Sequence, residues 1–240
     1  MKIKFFNRYY TFLRPKTVPL LSFFVALTIL ISLSTWQFKR LKWKNDLINE
    51  RISRFESNSV GLEKLNNPSE HEFQRVNIFG KLLNKHEFFM PALSKRGNNG
   101  YHILTILETN NNNIIYDTGW VPLIKKKQED RIQNLFNEQK NFNAVIRLPG
   151  RKGKFQPDND IDDNFWFFVD TDAIENFTKI KIEKSYYLET VENGPNGSPL
   201  GNQTRIYLRN NHLQYALTWM MIAFGLIGVF LAAHLKKVKK

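Results

Sequence analysis

Two long runs without a charged side chain decide most of what this chain can fold into. The first extends from Thr17 to Phe38, and its apolar core, Val18 to Trp36, has 19 residues. Wound as a helix at about 1.5 Å per residue, it reaches roughly 28 Å, close to the hydrocarbon thickness of a bilayer. The second run, Leu213 to Ala233, has 21 residues and reaches about 31 Å by the same rise. Arg14-Pro15-Lys16 stops the first helix on one side, and Trp36 supplies an interfacial aromatic on the other. His212 precedes the second run; His234 and a lysine cluster follow it. Gly228 and Ala232, four residues apart, would let a partner helix approach closely, although ordinary helix composition accounts for them equally well.

A cleaved signal peptide is the other way to read the first run. The run is long for such a segment and no A-x-A site follows it, so an uncleaved anchor is expected. The net charge is +13. Lys2, Lys4, Arg8, Arg14 and Lys16 precede the first run with no acid among them, and Lys236, Lys237, Lys239 and Lys240 follow the second. Removing those nine leaves +4 for the middle. A charge excess concentrated beside apolar runs sets membrane orientation rather than making a nucleic-acid surface. By the positive-inside rule both ends stay in the cytoplasm. The expected organisation is a basic tail at 1–16, a transmembrane helix at 17–38, an extracytoplasmic domain at 39–211, a transmembrane helix at 212–235 and a basic tail at 236–240. Sixteen residues are short for a mitochondrial leader, so a bacterial inner membrane with a periplasmic domain is favoured. The chain has no cysteine, which removes disulfides, thiolate metal sites and cysteine nucleophiles.

Past the first run helical spacing continues over Lys39 to Leu65, with Trp36, Arg40, Trp43 and Leu47 on one face, and should end before Asn66-Asn67-Pro68. The period then changes to that of strands. Phe73 to Phe79, Glu87 to Met90, Asn143 to Leu148, Phe165 to Asp170, Ser185 to Val191 and Arg205 to Leu208 read as extended. Tyr101 to Glu108 and Ile114 to Val121 flank an asparagine-rich turn and read as a hairpin. Lys125 to Gln139 reads as a surface helix, Asp172 to Thr178 as a short helix and Glu192 to Gln203 as loop. The fold class is thus two transmembrane α-helices flanking an antiparallel β or α+β domain, barrel-like in its strand content.

Among chemistry-bearing residues His212 stands out. Tyr215 and Trp219 follow at i+3 and i+7 on the same helical face. A neutral imidazole above two aromatics at a membrane edge can ligate haem iron; the plainer reading is three interfacial anchors. Asp158, Asp160, Asp162 and Asp163 open like a calcium loop, but Asp163 and Val169 stand where glycine and glutamate are needed. His71, His86 and His102 lack metal spacing, and no hydrolase, P-loop or dinucleotide motif occurs.

Five segments, in order, resemble the Surfeit-locus family of cytochrome c oxidase assembly factors, in its bacterial form. They are Thr35-Trp36-Gln37-Phe38-Lys39-Arg40 with Trp43-Lys44; Phe73-Gln74-Arg75-Val76 with Gly80; Asp117-Thr118-Gly119-Trp120-Val121-Pro122; Gly153-Lys154-Phe155-Gln156-Pro157-Asp158-Asn159-Asp160 with Asn164-Phe165-Trp166 and Asp170; and Asn210-Asn211-His212-Leu213-Gln214-Tyr215-Ala216-Leu217-Thr218-Trp219. Asp117-Thr118 departs from the Asn-Arg usual in that family and removes a basic side chain. The resemblance implies a non-enzymatic assembly factor that binds haem a and assists its insertion into oxidase subunit I. It carries the iron-ligand role to His212, with Tyr215 and Trp219 against the macrocycle. Arg40 would then pair with a propionate; the plainer reading is an arginine snorkelling at the interface. Subunit I, haem a synthase and the lipid bilayer are the implied partners, and nucleic acid is not among them. The alternative is a membrane-tethered scaffold that binds oxidase subunits without haem.

Overall fold

A computed structural model describes residues 2–5, 8–136, 138–150 and 152–237. In chain order the elements are β1 (Lys2–Phe5), β2 (Arg8–Phe12), α1 (Thr17–Glu56), β3 (Val60–Gly61), β4 (Arg75–Leu82), β5 (Phe88–Leu93), β6 (Asn99–Glu108), β7 (Asn113–Pro122), β8 (Lys140–Arg147), α2 (Thr171–Thr178), β9 (Tyr187–Thr190), α3 (His212–His234) and β10 (Leu235–Lys237). The chain divides into two compact units, residues 1–49 with 208–240, and residues 50–207.

The first unit carries both apolar runs. Pro19 falls in the first turn of α1, where its missing N–H has no intrahelical acceptor to lose. Both helices are long and apolar enough to cross a membrane. Their apolar side chains are largely uncovered, Val18 at 73% exposed and Val229 at 69%. A core helix of a soluble protein would bury such residues, since their exposure to water is costly. Phe23 stacks on Phe230 with ring centroids 4.0 Å apart. Gly228 faces open space, where an added Cβ would meet nothing within 4 Å, so α1 does not approach α3 through that small residue. The two basic ends, expected as plain tails, pair instead. β2 lies between β1 and β10, with Lys2 opposite Thr11 and Lys236 opposite the same Thr11. Lys239 and Lys240 lie outside the described residues.

The second unit is built on a seven-stranded sheet in the order β3-β4-β8-β9-β7-β6-β5. The sheet is mixed rather than antiparallel: β3 runs parallel to β4, and β9 parallel to β7. β4 also meets β6 through two residue pairs, Lys81 with Glu108 and Leu82 with Leu107; the barrel-like closure expected from the strand content comes down to those two pairs. Period-two alternation sends side chains to two cores. Leu107, Ile114 and Tyr116 join Val76, Phe142 and Leu188 in one. Leu104, Ile106 and Ile115 join Phe88, Trp166 and Ile174 of α2 in the other. Burial on both sides explains why β6 and β7 read as near-continuous apolar runs.

Four expectations need correction. α1 ends at Glu56, well before Asn66, where the Ser57 hydroxyl donates to the Arg54 carbonyl at 2.7 Å and closes the last turn. Among its described residues the 125–139 stretch forms no α-helix: two 3-10 segments, Leu123–Lys125 and Gln128–Asn134, hold Arg131 buried. Residues 165–170 form no strand. Side chains knit this segment in place: Asn159 Oδ1 accepts from the Phe167 N–H at 2.7 Å, and Gln156 Nε2 donates to the Phe167 carbonyl at 2.6 Å. Trp166 Nε1 donates to Asn164 Oδ1 at 2.7 Å, while its ring is fully buried edge-on to Phe88. Residues 205–208 are irregular, with only Ile206 drawn into a core beside Phe55 and Phe73.

Candidate functional site

In the first unit three polar residues of α1 meet the start of α3. Ser34, Gln37 and Asn45 fall at i, i+3 and i+11 on one helical face. The Ser34 hydroxyl donates to the Ala216 carbonyl at 3.0 Å. Gln37, only 8% exposed, places Oε1 2.7 Å from His212 Nδ1. Asn210 Nδ2 donates to Asn45 Oδ1 at 2.8 Å. Buried polar groups in an apolar helix are costly unless paired, so the contacts of buried Ser34 and Gln37 fix how the two helices register; the Asn45–Asn210 contact is exposed.

The pairing orients His212. A carbonyl oxygen can only accept, so Nδ1 donates the proton in this contact, and in a neutral imidazole Nε2 carries the lone pair. Nε2 has no hydrogen-bond partner among the described residues. An imidazole locked through one nitrogen and open at the other is the arrangement of a metal-ligating histidine. Tyr215 is 51% exposed and Trp219 is partly covered. The Arg40 guanidinium is exposed and lies over the Trp43 ring at 4.2 Å. Trp36 and Trp43 are each about half exposed. The structure thus brings Gln37 to His212. In the sequence Gln37 stands within the first family segment without a role of its own, and its signal is a lone amide in an apolar run, three residues after Ser34.

A second polar cluster lies in the 50–207 unit. His102 Nδ1 is 2.6 Å from Asp117 Oδ2, and Asp117 Oδ1 accepts from the Gly119 N–H at 2.8 Å. Asp117 is 2% exposed, so its contact with His102 is a buried pair. Burial pulls the His102 pKa down, but the Asp117 carboxylate, seconded by Glu189, outweighs it and leaves the value raised. Gly119, at φ +114°, sits where a Cβ would come within 2.4 Å of the Leu200 carbonyl oxygen. Burial alone would lower the Arg147 pKa, but the charges of Glu189, Tyr187 and Glu72 outweigh it and leave the value raised. The Lys125 to Lys127 run finds a place too: Lys126 Nζ stands 5.0 Å from the ring centroids of both Phe89 and Tyr101. Asp158 pairs with Lys152. Among the described residues no group of three or more His, Asp or Glu side chains could hold a metal ion.

Two helices long and apolar enough to cross a membrane, flanking a sheet-rich domain in the sequence, define the class of protein. A sequence profile of the SURF1 family matches residues 24–224, and the chain belongs to that family. It is 30% identical to Surfeit locus protein 1 of Gallus gallus over 207 residues, which cover 78% of this chain and 66%, just under two thirds, of the chicken protein. It is 28% identical to Surfeit locus protein 1 of Takifugu rubripes over 229 residues, 86% of this chain and 93% of that one. A bacterial relative, the SURF1-like protein of Rickettsia felis, is 25% identical over 213 residues, 86% of this chain and 92% of its own.

Proposed function

We propose that the protein assists assembly of cytochrome c oxidase by carrying haem a as cargo and delivering it toward subunit I. The observation that supports this best is the contact of His212 Nδ1 with Gln37 Oε1, which leaves Nε2 open as an axial ligand of the iron. Ligation through one neutral nitrogen suits cargo that must be released. Tyr215 and Trp219, one and two turns further along α3, would flank the macrocycle. Arg40, stacked on Trp43 and without a carboxylate partner among the described residues, would pair with a propionate. The role asks for no catalytic residue.

In this reading α1 and α3 span the bacterial inner membrane, both basic ends stay in the cytoplasm and the 39–211 region is periplasmic. The bilayer, subunit I and haem a synthase are the partners. The test is haem content: oxidase purified from cells that lack this protein should carry subunit I depleted of haem a. The wild-type chain should restore it, and His212→Ala should not. Full restoration by His212→Ala would leave the second reading, a tethered scaffold that binds oxidase subunits without touching haem.

A further inference from the structure

A cleft of about 410 Å³ opens beside β5, β6 and the 203–205 segment, lined by Met90, Leu93, His102, Asp117, Glu189 and Arg205 among others. Its carboxylates are already satisfied. Asp117 accepts from His102 and the Gly119 N–H. Glu189 Oε1 accepts from Arg147 Nη1 at 2.8 Å and the Tyr187 hydroxyl at 2.9 Å, and Oε2 from the Thr204 hydroxyl at 2.6 Å. What remains open is donors. His102 Nε2 has no hydrogen-bond partner among the described residues. Arg205 uses one of its five N–H groups, from Nη2 to the Leu93 carbonyl at 3.2 Å, and has no ion pair among the described residues. The rim is apolar, with Met90, Pro91 and Leu93 in the lining and Leu93 47% exposed.

We propose that this cleft binds a carboxylate carried on an apolar body: His102 Nε2 and Arg205 hold the two oxygens, and Met90, Pro91 and Leu93 receive the apolar part. Each oxygen of Asp117 and Glu189 already accepts a hydrogen bond, whereas an anion would complete the unused donors. The charged groups around His102 agree. Burial and Arg205 lower its pKa, but Asp117 on β7 and Glu189 on β9 outweigh them and raise it, with Arg147 of β8 taken up by Glu72 and Glu189. In the protonated ring Nε2 is a charged donor. The site lies wholly within the 50–207 unit and does not depend on the haem reading.

The test uses the full chain in zwitterionic nanodiscs, with histidine-selective NMR and the His102 signal assigned by His102→Gln. Isovalerate should shift that signal in a saturable curve, more tightly than acetate, and isovaleramide should not shift it. Arg205→Gln, at an exposed position that leaves the internal network intact, should weaken isovalerate binding by about tenfold, the loss of a charge-assisted hydrogen bond. N-acetyl-leucine distinguishes the source: tighter binding than isovalerate assigns the cleft to a polypeptide C-terminus, and equal binding to a free branched acid. The proposal is overturned if the amide binds as well as the acid, if acetate matches isovalerate, if inorganic phosphate outcompetes both, or if Arg205→Gln changes nothing.

Discussion

Replacing Gln37 by leucine isolates the contact on which the haem reading turns. Leucine is close to glutamine in size, so the packing around this 8% exposed position should persist. What disappears is the oxygen 2.7 Å from His212 Nδ1. For the helix pair the loss is one internal hydrogen bond, about 1 kcal/mol. For the imidazole the consequence is larger. Without an acceptor at Nδ1 the ring is free to turn and to move its proton to Nε2, the nitrogen that must ligate. Loss of the partner that orients a metal-ligating histidine typically weakens metal affinity by about 10- to 100-fold. Titration of the purified full chain in nanodiscs with haem a should show that weakening by absorbance. Nitrogen NMR of His212 before haem is added should show the proton on Nδ1 in the wild type and a mixed population in Gln37→Leu. Ser34→Ala serves as control. It removes the neighbouring 3.0 Å contact to the Ala216 carbonyl, costs the helix pair a similar ~1 kcal/mol, and should leave haem affinity nearly unchanged. Equal affinities in the wild type and Gln37→Leu would refute the orienting role. Equal losses in Gln37→Leu and Ser34→Ala would show that helix registration, not the imidazole, is what matters.

The sheet-rich unit makes its own predictions. Arg131 is 2% exposed and forks onto Glu87, with Nη1 donating to Oε1 at 2.9 Å and Nε to the Lys125 carbonyl at 3.1 Å. Arg131→Met strands a buried carboxylate and should destabilise the unit by about 3–5 kcal/mol, while the double variant with Glu87→Met should recover most of it, as read from urea midpoints. His102 sets a pH slope. Its pKa is raised above the ordinary 6.5 by Asp117, so the pair's stabilisation is complete below that value and is lost as pH rises through the raised one. The difference in stability between wild type and His102→Gln should therefore shrink from pH 5.5 to 8.5. In Asp117→Asn the main influence raising the His102 pKa is gone and burial is opposed only by Glu189, so the slope should flatten. A wild-type difference that grows with pH would contradict the ion pair.

How far the sequence reveals this molecule depends on the range of the forces involved. The two apolar runs and the β6–β7 hairpin with its asparagine turn were legible, because hydropathy and turn chemistry act within a few residues. The α2 helix was legible for the same reason: Asp170 caps it by accepting from the Ala173 N–H at 3.0 Å. The pairing of β2 with β10 was not, since it joins residues more than 200 positions apart. Phe165 to Asp170 has a strand's composition, yet Asn159, Gln156 and Asn164 take up its polar groups before a ladder can form. The 125–139 stretch has helical composition, but Arg131 turns inward to Glu87 and breaks the helical path at φ −143°. At the candidate site His212 was visible from its place before an apolar run and from the family segment around it. Gln37 as its partner was not, because the two lie 175 residues apart. His102 gave no signal, since its partner Asp117 looked only like a departure from the family pattern.

The most direct measurement of the central claim is the absorption spectrum of the full chain purified after loading with haem a, compared with that of His212→Ala at equal protein concentration. The account predicts a stoichiometric haem band in the wild type with the position of a histidine-ligated iron, and its loss or shift in His212→Ala. An unchanged band in His212→Ala, or no band in the wild type at saturating haem, would contradict it.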